Sequence, residues 1–317
     1  MISRAYITWM RQVALLAASA SCISAGQFTL VEFSALGLDG NSSAPAPVYG
    51  SVLGPAMSTW TSSSMSTDGQ YIQSYSASGT ASITTLRAAV SEKVSCVSCG
   101  AYALPFSASA GNADYQPGVT ALVWWNDIIT VNPGPGFASM QFVFSVDGVF
   151  SQSGPGNASN TSAVLVGESC AATETLCTGG PPPTPRHITS VPITQNGVVT
   201  LNLQPWLVGQ PFEYEFILGV NANTIPSTIG AQGYIQGNSS ASTDFSNTAQ
   251  LIGVNPVDSN GNLVSGTTIT SASGFQLPGP TPEPSTFALI AAGLALVALV
   301  NGRRSRGLDS KRHRAPS

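Results

Sequence analysis

Charged side chains are scarce in this chain and make up 8% of its 317 residues. Between residues 26 and 280 the basic residues are only three, Arg87, Lys93 and Arg186, against thirteen acidic ones, which gives this body a formal charge of −10. Proteins that bind nucleic acids gain most of their affinity from Lys and Arg side chains that neutralise phosphates. Because the body is acidic, the sequence predicts no binding to DNA or RNA.

The chain has only two histidines, His187 and His313. A serine-type hydrolase needs an imidazole base beside its nucleophile. His187 follows a proline-rich stretch and is expected to be a surface loop residue, while His313 lies in a basic tail. The sequence therefore disfavours nucleophilic hydrolysis.

Cysteine is sparse as well, with five residues. Cleavage of an N-terminal signal segment after Ala25 would remove Cys22 and leave an even set suited to an oxidising compartment: Cys96, Cys99, Cys170 and Cys177. Two local disulfides, Cys96–Cys99 and Cys170–Cys177, are favoured among the possible pairings. A zinc site is disfavoured, since the second pair is too widely spaced and no histidine is near. No bound metal is expected.

Long segments of helical periodicity are also missing, and period-two alternation is found in their place. It is clearest in residues 141–146, 197–203 and 212–216. Asp147-Gly148 is expected to close the first of these strands, and Asn260-Gly261 predicts a hairpin that joins 249–257 to 263–270. Residues 84–93 are the one short helix candidate. We predict an all-β body over residues 26–277, an antiparallel sandwich or jelly roll, with a loop or hinge near 178–185.

The two ends of the chain differ from the body in composition. Arg4 and Arg11 precede a short apolar stretch and then small residues, the pattern of a signal peptide over residues 1–25, with cleavage after Ala20 or Ala25. Residues 278–284 are rich in proline and predict an extended linker. The uncharged run 286–300 would be about 22 Å long as a helix, which is near the short limit for a membrane span.

A three-part order occupies residues 282–306: the tripeptide Pro282, Glu283 and Pro284, an apolar helix from Phe287 to Val300, and the basic residues Arg303, Arg304 and Arg306. It resembles the PEP-CTERM sorting tail of Gram-negative bacteria, which an exosortase reads. The resemblance implies an exported protein that meets signal peptidase and exosortase, is anchored transiently in the inner membrane, and then reaches the cell surface or the exterior. Such tails usually stop soon after the arginines, whereas this chain continues with a basic extension at 307–317.

The body carries a softer likeness in four segments, residues 124–130, 142–148, 242–249 and 258–262. They look like strands that recur in extracellular PEP-CTERM proteins of unassigned function. The likeness implies a β-sandwich body and an association with exopolysaccharide or biofilm matrix.

Glu213 and Glu215 are the candidates for catalysis, because alternate residues of a strand lie about 7 Å apart on one face. A glycosidase uses two carboxylates at such a separation. The stronger interpretation of the same pair is a solvated strand face opposite Phe212, Tyr214 and Phe216, since every amphipathic strand offers such pairs.

Two further groups have a functional and a structural interpretation. Asp258, Asn260 and Asn262 have the alternating oxygen pattern of a calcium loop but lack its later glutamate, so a tight turn explains them as well. Four tryptophans are candidates for sugar stacking or for packing, and on a strand neighbouring rings would lie on opposite faces: Trp60, Trp124, Trp125 and Trp206.

Two functional classes follow from these observations. The first is an exported, non-enzymatic protein of the surface or the extracellular matrix that is sorted through its tail. The alternative is a secreted glycan-binding module or glycoside hydrolase that uses the two glutamates or the tryptophans.

Overall fold

The computed structural model describes residues 28–36, 42–51, 54–66, 69–98, 102–103, 118–154, 160–172, 186–224, 234–235 and 238–279. The chain divides into two units, Met1–Gly279 and Pro280–Ser317. The expected signal peptide, hinge and sorting segment lie outside the described residues. The boundaries 1–25, 178–185 and 307–317 therefore stay predictions, and so does the linker 278–284, of which only residues 278 and 279 are described.

The described part of the body is built from β-strands and contains no helix, which confirms the predicted all-β class. Its strands are β1 (Phe28–Leu36), β2 (Ser42–Ser43), β3 (Val48–Ser51), β4 (Ala56–Met65), β5 (Tyr71–Ser82), β6 (Thr85–Cys96), β7 (Tyr102–Ala103), β8 (Gly118–Asn132), β9 (Ser139–Ser153), β10 (Asn160–Ala171), β11 (His187–Ile193), β12 (Gly197–Leu203), β13 (Pro211–Asn223), β14 (Tyr234–Ile235), β15 (Ser239–Val257) and β16 (Thr268–Ser271).

Two antiparallel sheets form the sandwich. Within the described residues, sheet A has the order β11-β10-β13-β8-β1-β2, with β3 paired to β1 and β16 paired to β8. Sheet B has the order β12-β9-β15-β6-β5-β4, and the short strands β7 and β14 pair with each other. Strands β4, β5 and β6 follow one another in the chain, whereas the centres of both sheets pair strands that are distant in sequence, such as β8 with β13 and β15 with β6.

The main core lies between the inner faces of the two sheets. Aromatic rings of β8, β13 and β9 fill its centre. Trp125 lies 5.2 Å from Phe216 between ring centroids, and Phe142 lies 4.7 Å from Phe216. These rings are almost fully buried, and burial of aromatic area on this scale is the dominant stabilising contribution of such a core.

Residues 84–93 are not helical, so the helix candidate was wrong. They belong mostly to β6, in which Leu86, Ala88, Val90 and Val94 face inward while Arg87 and Lys93 are exposed. Thr84 has a φ of 70°, a left-handed conformation that ends β5 and starts β6 in a tight hairpin. Period two therefore prevails over the weak helical spacing of these residues.

The turn expected at Asp147-Gly148 is also absent, because β9 continues through both residues to Ser153. Opposite them, β15 contains an irregularity between Asp244 and Thr248, where the pairing register with β9 shifts. The extra residues of β15 are accommodated in a bulge while the partner strand runs on.

The hairpin expected around Asn260-Gly261 forms only at its tip. One bridge joins Val257 to Leu263, and the returning strand β16 then pairs with β8 of sheet A instead of β15. The chain thus crosses from one sheet to the other after the turn, and the predicted return strand was assigned to the wrong partner.

Candidate functional site

Glu213 and Glu215 lie on the outer face of sheet A, opposite the inward rings of Phe212, Tyr214 and Phe216, as the alternation predicts. The register of β13 places Glu215 directly across from Glu168 of β10 on one side and Asn126 of β8 on the other. Three carboxylates and an amide therefore lie close together on this outer face. Of these four side chains, the sequence had indicated only Glu213 and Glu215.

These carboxylates are buried, so the expectation of a solvated face was wrong. Glu213 is 1% exposed, Glu215 is 0% exposed and Glu168 is 5% exposed. Asn126 connects Glu213 to β1, since its Nδ2 donates to Oε1 of Glu213 at 2.7 Å and its Oδ1 accepts from the backbone N–H of Phe28 at 2.6 Å. The amide acts as a bridge between strands.

A second apolar cluster lies beside the carboxylates on the same face of sheet A. Its members are buried residues of β1, β8, β10 and β13 on the outer face of sheet A: Phe28, Leu30, Leu122, Trp124, Val164, Val166 and Ile217. In this surrounding the charged form of a carboxyl loses its hydration. Burial accordingly raises the pKa of Glu168 to about 7, although the charge of Arg186 opposes the shift.

A glycosidase needs its two carboxylates at a surface that a sugar chain can reach. Glu213 and Glu215 have the required order along one strand, but neither is at a solvent-facing surface in this structure. Their arrangement thus matches a covered polar cluster in a β-sheet better than an open catalytic cleft.

Two buried tryptophans occupy opposite faces of β8. Trp125 belongs to the main core, and Trp124 belongs to the outer apolar cluster. Trp60 is half-buried and stacks on Tyr75 at 6.4 Å with an interplanar angle of 5°. Trp206 lies beside His187, with ring centroids 5.9 Å apart. Packing therefore accounts for the tryptophans that the sequence offered as sugar platforms.

His187 begins β11 and pairs with Ser169 of β10, so the expected loop residue is a strand residue. Ser169, its partner on the neighbouring strand, is not an accessible nucleophile. Its side chain is buried, and its hydroxyl donates to the carbonyl of Gln204 at 2.7 Å. This geometry provides no catalytic triad around His187.

Asp258 organises the turn that had been proposed as a calcium loop. Its Oδ1 accepts from the N–H groups of Asn260 and Asn262 at 2.8 and 2.9 Å, and its Oδ2 accepts from Nδ2 of Asn262 at 3.1 Å. Hydrogen bonds from the Asn262 side chain, then from backbone groups of the turn, lower the pKa of the Asp258 carboxyl. Gly261 has a φ of +84°, which suits glycine. The turn interpretation explains every one of these contacts.

Cys96 ends β6, and Cys170 is fully buried in β10. Cys99 and Cys177 lie outside the described residues, so the two predicted disulfides stay predictions. In the described ranges no group of three or more His, Cys, Asp or Glu side chains is arranged to hold a metal ion.

The sorting segment also lies outside the described residues: Pro282, Glu283 and Pro284, Phe287 to Val300, and Arg303, Arg304 and Arg306. Among the residues that the structure does describe, no helix has the length and apolar character needed to cross a bilayer.

Comparison with known proteins identifies the tail. Residues 280–305 match the family model of the PEP-CTERM protein-sorting motif. The chain therefore carries this motif, which indicates an exported protein with a transient membrane anchor that exosortase-type machinery processes.

No curated protein matches the chain. Among solved structures, the delta-toxin of Clostridium perfringens is similar over 71% of this chain and 90% of its own, with 10% identity and a TM-score of 0.15. A score that low carries no argument about fold or function.

Proposed function

We propose that this chain is an exported, non-enzymatic protein of the cell surface or extracellular matrix, processed at its tail by an exosortase and associated with exopolysaccharide. Signal peptidase removes the N-terminal segment first, and the apolar run 286–300 then holds the chain in the inner membrane until processing. The protein works without a bound cofactor. The observation that carries the proposal is the match of residues 280–305 to the sorting motif.

The body supports the non-enzymatic part of the proposal. The carboxylate pair that could serve a glycosidase is almost completely buried, and packing or turn formation accounts for the tryptophans and for Asp258. A secreted glycan-binding module or glycoside hydrolase is the alternative, and it would need the outer face of sheet A to become accessible.

Replacement of the motif tests the sorting. In a strain with an active exosortase, the triple variant Pro282→Ala, Glu283→Ala, Pro284→Ala is expected to stay in the membrane fraction with its tail intact. The unaltered protein should be released without residues 287–300. Cell fractionation followed by intact-mass measurement of the released chain separates the two results.

A single variant next to the motif, Pro278→Ala, serves as the control for altered linker stiffness and should be released normally. Released protein that still contains residues 287–300 would contradict the proposal, and so would normal processing of the triple variant.

A further inference from the structure

Strand β4 forms an edge of sheet B. All ten of its residues, Ala56–Met65, pair with β5 without a register shift. Among the described residues, β4 pairs with β5 alone. Its first residue is fixed at the sandwich edge, where the N–H of Ala56 donates to Oγ1 of Thr29 at 3.1 Å. Beyond that point every second side chain is exposed.

This edge lacks the features by which soluble proteins protect an edge strand. A sheet edge presents unpaired N–H and C=O groups, and natural edges are commonly blunted by charge, proline, a bulge or short length. The sequence of β4, AMSTWTSSSM, has no charged residue, no proline and no glycine. The edge strand β11 of sheet A differs, because it is shorter and contains Pro192.

The exposed side chains of β4 are complementary to a second copy of themselves. Two antiparallel edges related by a two-fold axis perpendicular to the sheet pair residues of the same face. With the axis at Thr61, Met57 faces Met65 of the second copy, Thr59 faces Ser63, and Thr61 faces its own equivalent. Met57 and Met65 are 64% and 58% exposed, so this register covers both apolar ends of the strand.

We propose that β4 is a self-association edge, through which two copies of this chain join their B sheets into one continuous antiparallel sheet. Hydrogen bonds between the two backbones supply the contact, and facing Thr and Ser hydroxyls add cross-strand pairs on the outer surface. No like charges meet in this register, although the body as a whole is strongly acidic. The contact is isologous and closes after two copies. It does not depend on the sorting proposal.

A charge at the centre of the edge tests the proposal. In the protein purified as the producing cells make it, Thr61→Lys places two like charges face to face across the two-fold axis. We expect the dimer dissociation constant to rise by roughly tenfold or more, as sedimentation velocity over a concentration series would show. Ser151→Lys is the matched control, because Ser151 is an exposed residue of the same sheet in β9, which is separated from β4 by the strands β15, β6 and β5. It should leave the dissociation constant unchanged.

Mixing two variants of opposite charge distinguishes a weakened dimer contact from a misfolded chain. Thr61→Lys and Thr61→Glu copies should each dissociate alone and recover a dimer when mixed, which a misfolded chain would not do. Thr61→Cys should give a disulfide-linked dimer on a non-reducing gel, whereas Ser151→Cys should not. A monomeric unaltered protein at every concentration would overturn the proposal. So would a dimer that Thr61→Lys weakens no more than Ser151→Lys does, or a mixture that stays monomeric.

Discussion

Glu92 lies in an environment that opposes its charge. It lies on the inner face of β6, is 1% exposed, and contacts the side-chain amide of Gln73 and the backbone N–H of Thr224, the latter at 2.7 Å. Burial raises the pKa of Glu92 to about 8, and these hydrogen bonds only partly oppose the shift. The side chain is therefore protonated in the folded protein at neutral pH, where an unfolded chain would have released the proton.

The variant Glu92→Gln should stabilise the protein at pH 8. An amide keeps an oxygen that can accept from Thr224, and it removes the cost of protonating or burying a carboxylate. Each pKa unit is worth about 1.4 kcal/mol, so the free energy of unfolding should rise by a few kcal/mol at pH 8. Denaturant titration measures the change.

The same comparison at pH 4 provides the control, since both states of the unaltered protein then carry the proton and the gain should vanish. An equal effect of the substitution at both pH values would show that packing, and not protonation, sets the stability at this position.

At the scale of elements, Gly148 of β9 lies against Phe245, which belongs to the bulge of β15 between Asp244 and Thr248. A Cβ added at Gly148 would lie 2.4 to 2.6 Å from three ring atoms of Phe245, which is too close for real atoms. Phe245 is fully buried and lies against Phe150 with centroids 5.5 Å apart. Glycine at position 148 therefore lets the ring of Phe245 pack directly against the backbone of β9.

The variant Gly148→Ala is expected to lower the free energy of unfolding by about 1 to 3 kcal/mol, because the ring must move within a packed core. Gly279→Ala is a suitable control, since nothing lies within 4 Å of a Cβ added there. In the double variant with Phe245→Ala the two losses should be less than additive. Full additivity in the denaturant titrations would disprove this close contact.

Element by element, local alternation predicted β9, β12 and β13 well, because one face of each contains most of its apolar residues. It could not predict strand partners. Glu168 and Glu215 are opposite each other only because β10 pairs with β13 over twelve residues, which no local pattern reveals. The return strand after Asn260-Gly261 failed for the same reason, since β16 gains its partner from a distant part of the chain.

One sequence pattern does predict that the outer face of sheet A is covered. Residues 119–125 of β8 are almost continuously apolar, and such a run is typical of a strand covered on both faces. That run predicts a covered layer at β8, but only the structure places Glu213 and Glu215 of β13 beside it. The alternation within residues 212–216 alone pointed to solvent instead.

At the scale of the whole molecule, three buried glutamates of the described body lie where burial opposes their ionisation. Burial raises the pKa of Glu32 and of Glu168 to about 7, and that of Glu92 to about 8. The ordinary value for all three is 4.5. In the folded state these side chains keep protons that the unfolded chain loses, so the unfolded state gains relative stability as pH rises from about 4.5 to about 8.

The protein should consequently be most stable in mildly acidic solution and lose stability steadily between pH 5 and pH 8, with little further loss above that range from these groups. Unfolding by denaturant at a series of pH values would give the slope of the free energy of unfolding against pH. That slope, divided by 2.303RT, gives the number of extra protons held by the folded state. Glu92→Gln should reduce the slope near pH 7 by about one proton. Stability that is flat or rises from pH 5 to pH 8 would mean that the three carboxyls ionise in the folded protein, and hence that the outer face of sheet A and the inner end of β6 are open to water.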